Sequence, residues 1–162
     1  MKSVQIIPGK IYTLPDLLLQ IKRWRLTNKK IAFTNGVFDI LHQGHVSSLS
    51  DAAGYADILI VGVNADASVK KLKGETRPVN NQQSRALILA SMIMVDAVVI
   101  FNEDTPIHLI TSILPDVLIK GGDYTIDEIV GAKEVIANGG QVKIAPIIEG
   151  FSTTNIIKRM RG

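Results

Sequence analysis

His42 and His45 stand three residues apart in the stretch TNGVFDILHQGH, residues 34–45, which also carries Gly36 and Gly44. Glycine lets a backbone turn tightly and admits a bulky anion to the peptide N–H groups, because no Cβ stands in the way. The apolar run Ile31-Ala32-Phe33 before this stretch reads as the end of a buried strand, and Val46 onward reads as a helix. A helix opening just after such a turn adds unpaired N–H groups and the positive end of its dipole. Imidazoles at i and i+3 across the first turn can face one way. Together these residues describe a phosphate-binding turn with two imidazole donors at its rim.

Three further clusters suit the same chemistry. Asn64, Asp66 and the basic run Lys70, Lys71 and Lys73 follow one apolar segment, and Lys120-Gly121-Gly122-Asp123 follows another. Near the end, Glu149-Gly150-Phe151-Ser152-Thr153-Thr154 is a glycine turn into a hydroxyl-rich helix start. Taken singly, each has a plainer reading. His42 alone could be a capping residue, Ser152 an N-cap, and Arg77, Arg85 or any one lysine a solvated charge. Asp39, His42 and His45 could form a metal triad, but no further His or Cys lies nearby to close the site. Lys120 is harder to dismiss, since a strand end beside two glycines is a poor place for an idle cation.

The clusters meet only if the fold brings them to one rim. Five segments read as strands: about residues 30–34, 57–63, 97–101, 116–120 and 142–145. The segment Asp57–Val63 is apolar on both faces, as in an inner parallel strand. Helical spacing of Leu14, Leu17, Leu18 and Ile21 after a Thr13 cap predicts a helix to about Leu26. Asn80 with Gln83 resembles a capping box for a helix to about Met94, and another helix should run from about Asp127 to Ala137 before Asn138-Gly139-Gly140. Residues 1–12 show no periodicity and read as a loose arm. The alternation predicts an α/β fold, a Rossmann-like α/β/α sandwich with a five-stranded parallel sheet. The organisation expected is one domain over 1–162, with an N-terminal arm and helix over 1–28 and a catalytic core over 29–162. Ligands of such folds gather at the carboxyl ends of the strands.

Composition narrows the partners. The chain has 162 residues, 46% of them hydrophobic, and a formal charge of +3 from 18 basic and 15 acidic residues. That length supports a core of its own, and the scattered mild positive charge suits an anionic small substrate rather than nucleic acid. There is no cysteine, hence no thiolate nucleophile or disulfide framework. The longest greasy stretch, Ala86–Phe101, is interrupted by Asp96 and is shorter than the roughly 20 residues of a spanning helix. With no secretory leader evident in MKSVQIIPGKIYTL, a cytoplasmic protein without a membrane partner is expected.

TNGVFDILHQGH together with GFSTTNII resembles the nucleotidyltransferase superfamily of the cytidylyltransferase type, marked by an HxGH element and a late serine–threonine helix start. The stretches KGETRPVNNQQSR, NEDTPIHLI, PDVLIKGGDY and EGFSTT are similar to the adenylyltransferases that make ADP-heptose from D-glycero-β-D-manno-heptose 1-phosphate and ATP. The likeness runs from about Leu14 to the end. It implies that His42 and His45 contact the triphosphate and stabilise charge in the transition state. Asn35, Gly36, Val37, Phe38 and Gly44 would line the phosphates and nucleoside. Ser152, Thr153 and Thr154 would hold the β- and γ-phosphates. Lys73 (or Lys70 or Lys71) and Arg85 fall where related enzymes place phosphate-binding cations, and Lys120, Gly121, Gly122 and Asp123 where the nucleoside is expected. No residue is assigned to a metal; Mg2+ would arrive with ATP. Such transferases are often dimers and often fused behind a sugar kinase, so a homo-oligomer and a separate heptose kinase are candidate partners. Two rivals remain open at this point: a cytidylyltransferase acting on glycerol 3-phosphate or another small phosphorylated acceptor, and a nucleotide-binding module without turnover.

Overall fold

Strands that are apolar on both faces need cover on both faces, and this chain supplies it from alternate residues. The computed structural model describes residues 5–146 and 153–160. The strands are β1 (Ile11–Tyr12), β2 (Ile31–Gly36), β3 (Ile58–Asn64), β4 (Ala97–Phe101), β5 (Val117–Gly121) and β6 (Gln141–Ala145). Between and around them lie the helices α1 (Leu14–Leu26), α2 (Gln43–Ala53), α3 (Asp66–Lys73), α4 (Gln82–Ala90), α5 (Ile107–Ile113), α6 (Ala132–Ala137) and α7 (Thr153–Met160). Ile31, Phe33, Ile60 and Val99 point to a core completed by Leu17 and Ile21 of α1, Leu109 and Ile110 of α5, and Val135 of α6. Their neighbours Ala32, Leu59, Val61 and Val98 point the other way, onto Leu49 of α2 and Ala86 and Leu89 of α4. The result is the expected α/β/α sandwich.

Every strand pair is parallel, in the order β1-β4-β3-β2-β5-β6. The sheet therefore has six strands, not five. The extra one comes from the segment read as a loose arm: Ile11 and Tyr12 pair with Val98 and Val99 on the β4 edge. Lys10 secures it by donating to the Val95 carbonyl at 2.6 Å. Two paired residues are too short to show a period of two, so nothing in the local pattern announces them.

Two helices also differ from expectation. The cap of α4 is Asn81, which accepts from Ser84 N–H at 2.9 Å, and Asn80 is engaged elsewhere. The helix stops at Ala90, well before Met94. The predicted helix over 127–137 is divided into a 3-10 turn, Ile126–Glu128, and α6. Gly131 lies between them at φ 84°, and a Cβ there would meet the Ile110 side chain at 2.7 Å. Asp57, Asp96 and Asp116 each accept the N–H of a residue within one position of the start of a neighbouring strand (Lys30, Leu59 and Ile31) at 2.8–2.9 Å. Asp96 thus has a structural reason to interrupt an apolar run. No helix among the described residues is long and apolar enough to cross a membrane.

Successive crossovers from β2 run to β3 and β4 on one side, while β5 lies on the other side of β2. The crevice outside the carboxyl ends of β2 and β5 is therefore the topological switch point, where such sheets bind ligands.

Candidate active site

The turn after β2 occupies that crevice. Phe38 adopts a left-handed backbone at φ 49°, and this turns its ring back over Gly36, where a Cβ would lie 3.1 Å from the ring. A larger residue at position 36 would push that ring away. His42 then precedes α2 as its N-cap residue. The His45 N–H donates to the His42 carbonyl at 2.9 Å. The i, i+3 spacing brings the imidazoles onto one face, stacked with centroids 3.9 Å apart at 24°. The Phe38 ring lies 5.4 Å from His45, tilted.

Stacking and burial keep these rings neutral. Burial pushes His45 down to about 4, and the charge of a protonated His42 beside it pushes the same way. Burial likewise lowers His42. At neutral pH these two rings therefore meet an anion as N–H donors rather than as cations.

Three hollows run along the rim. A cavity of about 240 Å³ is lined by Asn35, Gly36, Val37, Phe38, His45, Lys120 and Gly121, with Thr34, Ser48 and Tyr124. On one side it adjoins a cavity of about 170 Å³ whose walls include Leu118, Ile129, Val130 and Pro106, with Asn35, Lys120 and Tyr124 shared. On the other side lies a polar cavity of about 250 Å³ lined by Val37, Phe38, Asp39, His45, Lys73, Arg77 and Thr153. His45 belongs to both polar hollows. Burial lowers the Lys120 ammonium below the ordinary lysine range, and its Nζ lies 5.9 Å from the Tyr124 ring centroid. Gly122, at φ 132°, lies under that ring.

Of the residues singled out in the sequence, Asn35, Gly36, Val37, Phe38, His45, Lys73, Lys120, Gly121 and Thr153 line these joined hollows. His42 sits behind His45, Gly44 lies in the first turn of α2, and Gly122 and Asp123 continue the loop after β5. Thr153 Oγ1 donates to the Ile40 carbonyl at 3.4 Å, tying the start of α7 to the turn after β2. Ser152 and the Thr154 side chain lie outside the described residues. Among the three neighbouring lysines, Lys70 faces Glu75 at 3.6 Å and Lys71 faces Asp104 at 2.9 Å. Lys73 is the one at the polar hollow.

Arg85 has a different position. It is 1% exposed and its guanidinium is taken up by the carbonyls of Asn80, Val37 and Asn64 and by the Asp66 carboxylate. It clamps the turn after β2 to the end of β3 and the start of α4. Asp39 is 3% exposed and accepts from Arg77 Nε at 2.6 Å, Val79 N–H at 2.8 Å and Asn80 N–H at 2.9 Å. Burial alone would raise its carboxyl, but those N–H bonds and Arg77 outweigh burial and hold it below the usual range. With its oxygens so engaged, it does not join the histidines as a third ligand. No group of three His, Asp or Glu side chains among the described residues could hold a metal. Arg77, Tyr124 and Ser48 were missed as lining residues. Nothing local marks them, although the proline after Arg77 does signal a turn.

A family model described as Cytidylyltransferase-like matches residues 33–159. The bifunctional protein HldE of Koribacter versatilis is 51% identical over 158 residues, 98% of this chain and 32% of that protein. HldE of Caulobacter vibrioides is 55% identical over 160 residues, 98% of this chain and 33% of that protein. The chain thus spans about a third of the length of these curated relatives. The crystal structure of a lipopolysaccharide core biosynthesis protein from Thermoplasma volcanium superposes with a TM-score of 0.60 at 28% identity, covering 74% of this chain and 97% of that one. Pantoate-beta-alanine ligase from Francisella tularensis, at 16% identity and TM-score 0.60 over 93% of this chain and 76% of its own, shares the fold. With its HxGH turn at the β2–β5 switch point and a family match over most of its length, the chain belongs to the cytidylyltransferase-like family.

Proposed function

We propose that the chain is an adenylyltransferase that joins AMP from ATP to D-glycero-β-D-manno-heptose 1-phosphate, giving ADP-heptose and pyrophosphate for lipopolysaccharide core synthesis. The observation that carries this reading is the meeting of His45, the turn after β2, Lys73 and the start of α7 around one polar hollow. The RPVN and KGGDY stretches and the similarity to HldE proteins favour the heptose acceptor and ATP.

In the reaction, an oxygen of the sugar 1-phosphate forms a bond to the α-phosphorus of ATP while the bond from that phosphorus to the β-bridging oxygen breaks. The electron pair leaves with pyrophosphate. A phosphate oxygen is already an adequate nucleophile, so catalysis rests on alignment and on offsetting charge at the pentavalent phosphorus. His45 donates an N–H to the reacting phosphate, with His42 behind it. Asn35–Phe38 offer backbone N–H groups, and Thr153 at the α7 start receives the terminal phosphates, with the Ser152 and Thr154 hydroxyls adjacent to it in the sequence. The hollow walled by Leu118, Ile129 and Val130 suits a flat apolar base, with Lys120 and the Gly121–Asp123 loop around the nucleoside. Magnesium would come bound to the nucleotide and offset phosphate charge there, a position that needs few protein ligands. Arg85 positions the turn rather than touching phosphate. A cytoplasmic dimer working with a sugar kinase, separate or fused, belongs to the same reading.

Pyrophosphate release measured with ATP and CTP, each against heptose 1-phosphate and glycerol 3-phosphate, tests it. Release from ATP only with the heptose acceptor is expected. Release from CTP with glycerol 3-phosphate would replace this reading by a cytidylyltransferase, and no release with any pair would leave a binding module.

A further inference from the structure

The polar hollow holds two cations, Lys73 from the end of α3 and Arg77 from the loop that follows it. Lys73 is exposed and, among the described residues, has no ion pair or hydrogen bond. Arg77 bonds Asp39 through Nε alone, at 2.6 Å. That one contact uses the edge of the guanidinium. Among the described residues both Nη groups are without a partner, beside a hollow that also includes His45 and Thr153. A planar guanidinium with two such groups open matches a phosphate face.

The carboxylate behind it is built to hold that pose. Asp39 is 1% exposed at its side chain, against 14% for Arg77. It also accepts the Val79 and Asn80 N–H groups, and its own carbonyl accepts from Asn80 Nδ2 at 2.8 Å. The loop carrying Arg77 is thereby fastened to the turn carrying the histidines. A simple surface ion pair would leave both partners solvated and mobile; here both partners line the hollow, the anion almost wholly covered and the cation the more exposed of the two.

We propose that Arg77 is a phosphate-binding residue of this cleft, acting with Lys73, and that Asp39 is the positioning residue that aims it. The inference rests on the nucleotidyltransferase reading for its choice of substrates. The phosphate gripped belongs either to the acceptor or to the polyphosphate tail of ATP, and the two sources share this chemistry.

The test compares Arg77→Ala, Arg77→Lys and Asp39→Asn with the unaltered protein. KM is measured separately for ATP and for heptose 1-phosphate, and binding of inorganic pyrophosphate and phosphate is measured by calorimetry. Loss of the guanidinium should raise one KM by about 10- to 100-fold, and Arg77→Lys should recover part of it. A rise confined to the acceptor places the acceptor phosphate at Arg77, and a rise confined to ATP places the tail there. Asp39→Asn should raise the same KM and add nothing further in the Arg77→Ala background. A merely structural aspartate would add its effect in full, and that result would overturn its positioning role. Unchanged KM values and unchanged anion binding in Arg77→Ala would overturn the proposal. If the unaltered protein turns over no acceptor, the substrate reading fails by itself. Loss of pyrophosphate or phosphate binding in Arg77→Ala would still uphold the arginine's role, and its persistence would refute it. Melting temperatures of the Arg77 variants separate a lost anion site from a lost fold, and these variants remain informative even where Asp39→Asn fails to fold.

Discussion

Under the proposed reaction, His45 meets opposite demands at rest and in turnover. Its imidazole is buried against His42 and Phe38, and it is neutral until the pH approaches about 4. In the unfolded chain it would titrate near the ordinary histidine value, about 6.5. Between those limits the unfolded state binds more protons, so stability is lost as the pH falls from about 6.5 toward about 4. The melting temperature of His45→Gln should accordingly fall less than that of the unaltered protein between neutral pH and pH about 5. An equal fall in both would contradict the burial argument. A bound polyphosphate should oppose the shift, since a nearby anion favours the imidazolium. Arg85 shows a different economy. Substituting Met would leave three carbonyls and Asp66 without their buried donor, at a cost of about 3–5 kcal/mol measured by urea unfolding. A cost below about 1 kcal/mol would mean that the clamp contributes little.

At the scale of elements, the site depends on where helices and strands begin and end. The turn after β2 was legible because its residues are local: two glycines, two histidines at helical spacing and an apolar strand before them. Its support was not. Asp39 and Arg77 lie 38 residues apart, and Arg85 and Val37 lie 48 apart. Neither separation leaves a periodic trace, so Arg85 reads in the sequence as a phosphate cation and Arg77 as a solvated charge. Helix ends were misjudged where one side chain serves a distant partner, as Asn80 does for Asp39. The start of α7 offers a direct check. Thr153→Ala should raise KM for ATP more than it lowers kcat, since a hydroxyl at a helix start serves binding. A fall in kcat alone would contradict that role. At the opposite edge, Lys10→Ala removes the 2.6 Å bond to Val95 that holds β1. It should cost about 1–3 kcal/mol in urea unfolding while leaving KM unchanged. An unchanged unfolding midpoint would show that β1 needs no such fastening.

The whole molecule turns a sheet order into a chemical address. Once β2 lies between β3 and β5, the turn of the first, the lysine loop of the other and the start of α7 open onto one crevice. Alternating strands and helices made that architecture readable from the sequence, because strands buried on both faces admit few other solutions. The sixth strand escaped because two residues on an edge carry no pattern. The central claim is that a neutral imidazole at this crevice stabilises the charge gained by phosphorus as pyrophosphate leaves. The most direct measurement is kcat for pyrophosphate release by His45→Ala, with saturating substrates and an unaltered melting temperature. A fall of about 10²–10³-fold is predicted, by analogy with removal of one oxyanion donor. A loss of less than about tenfold in a folded variant would contradict the account.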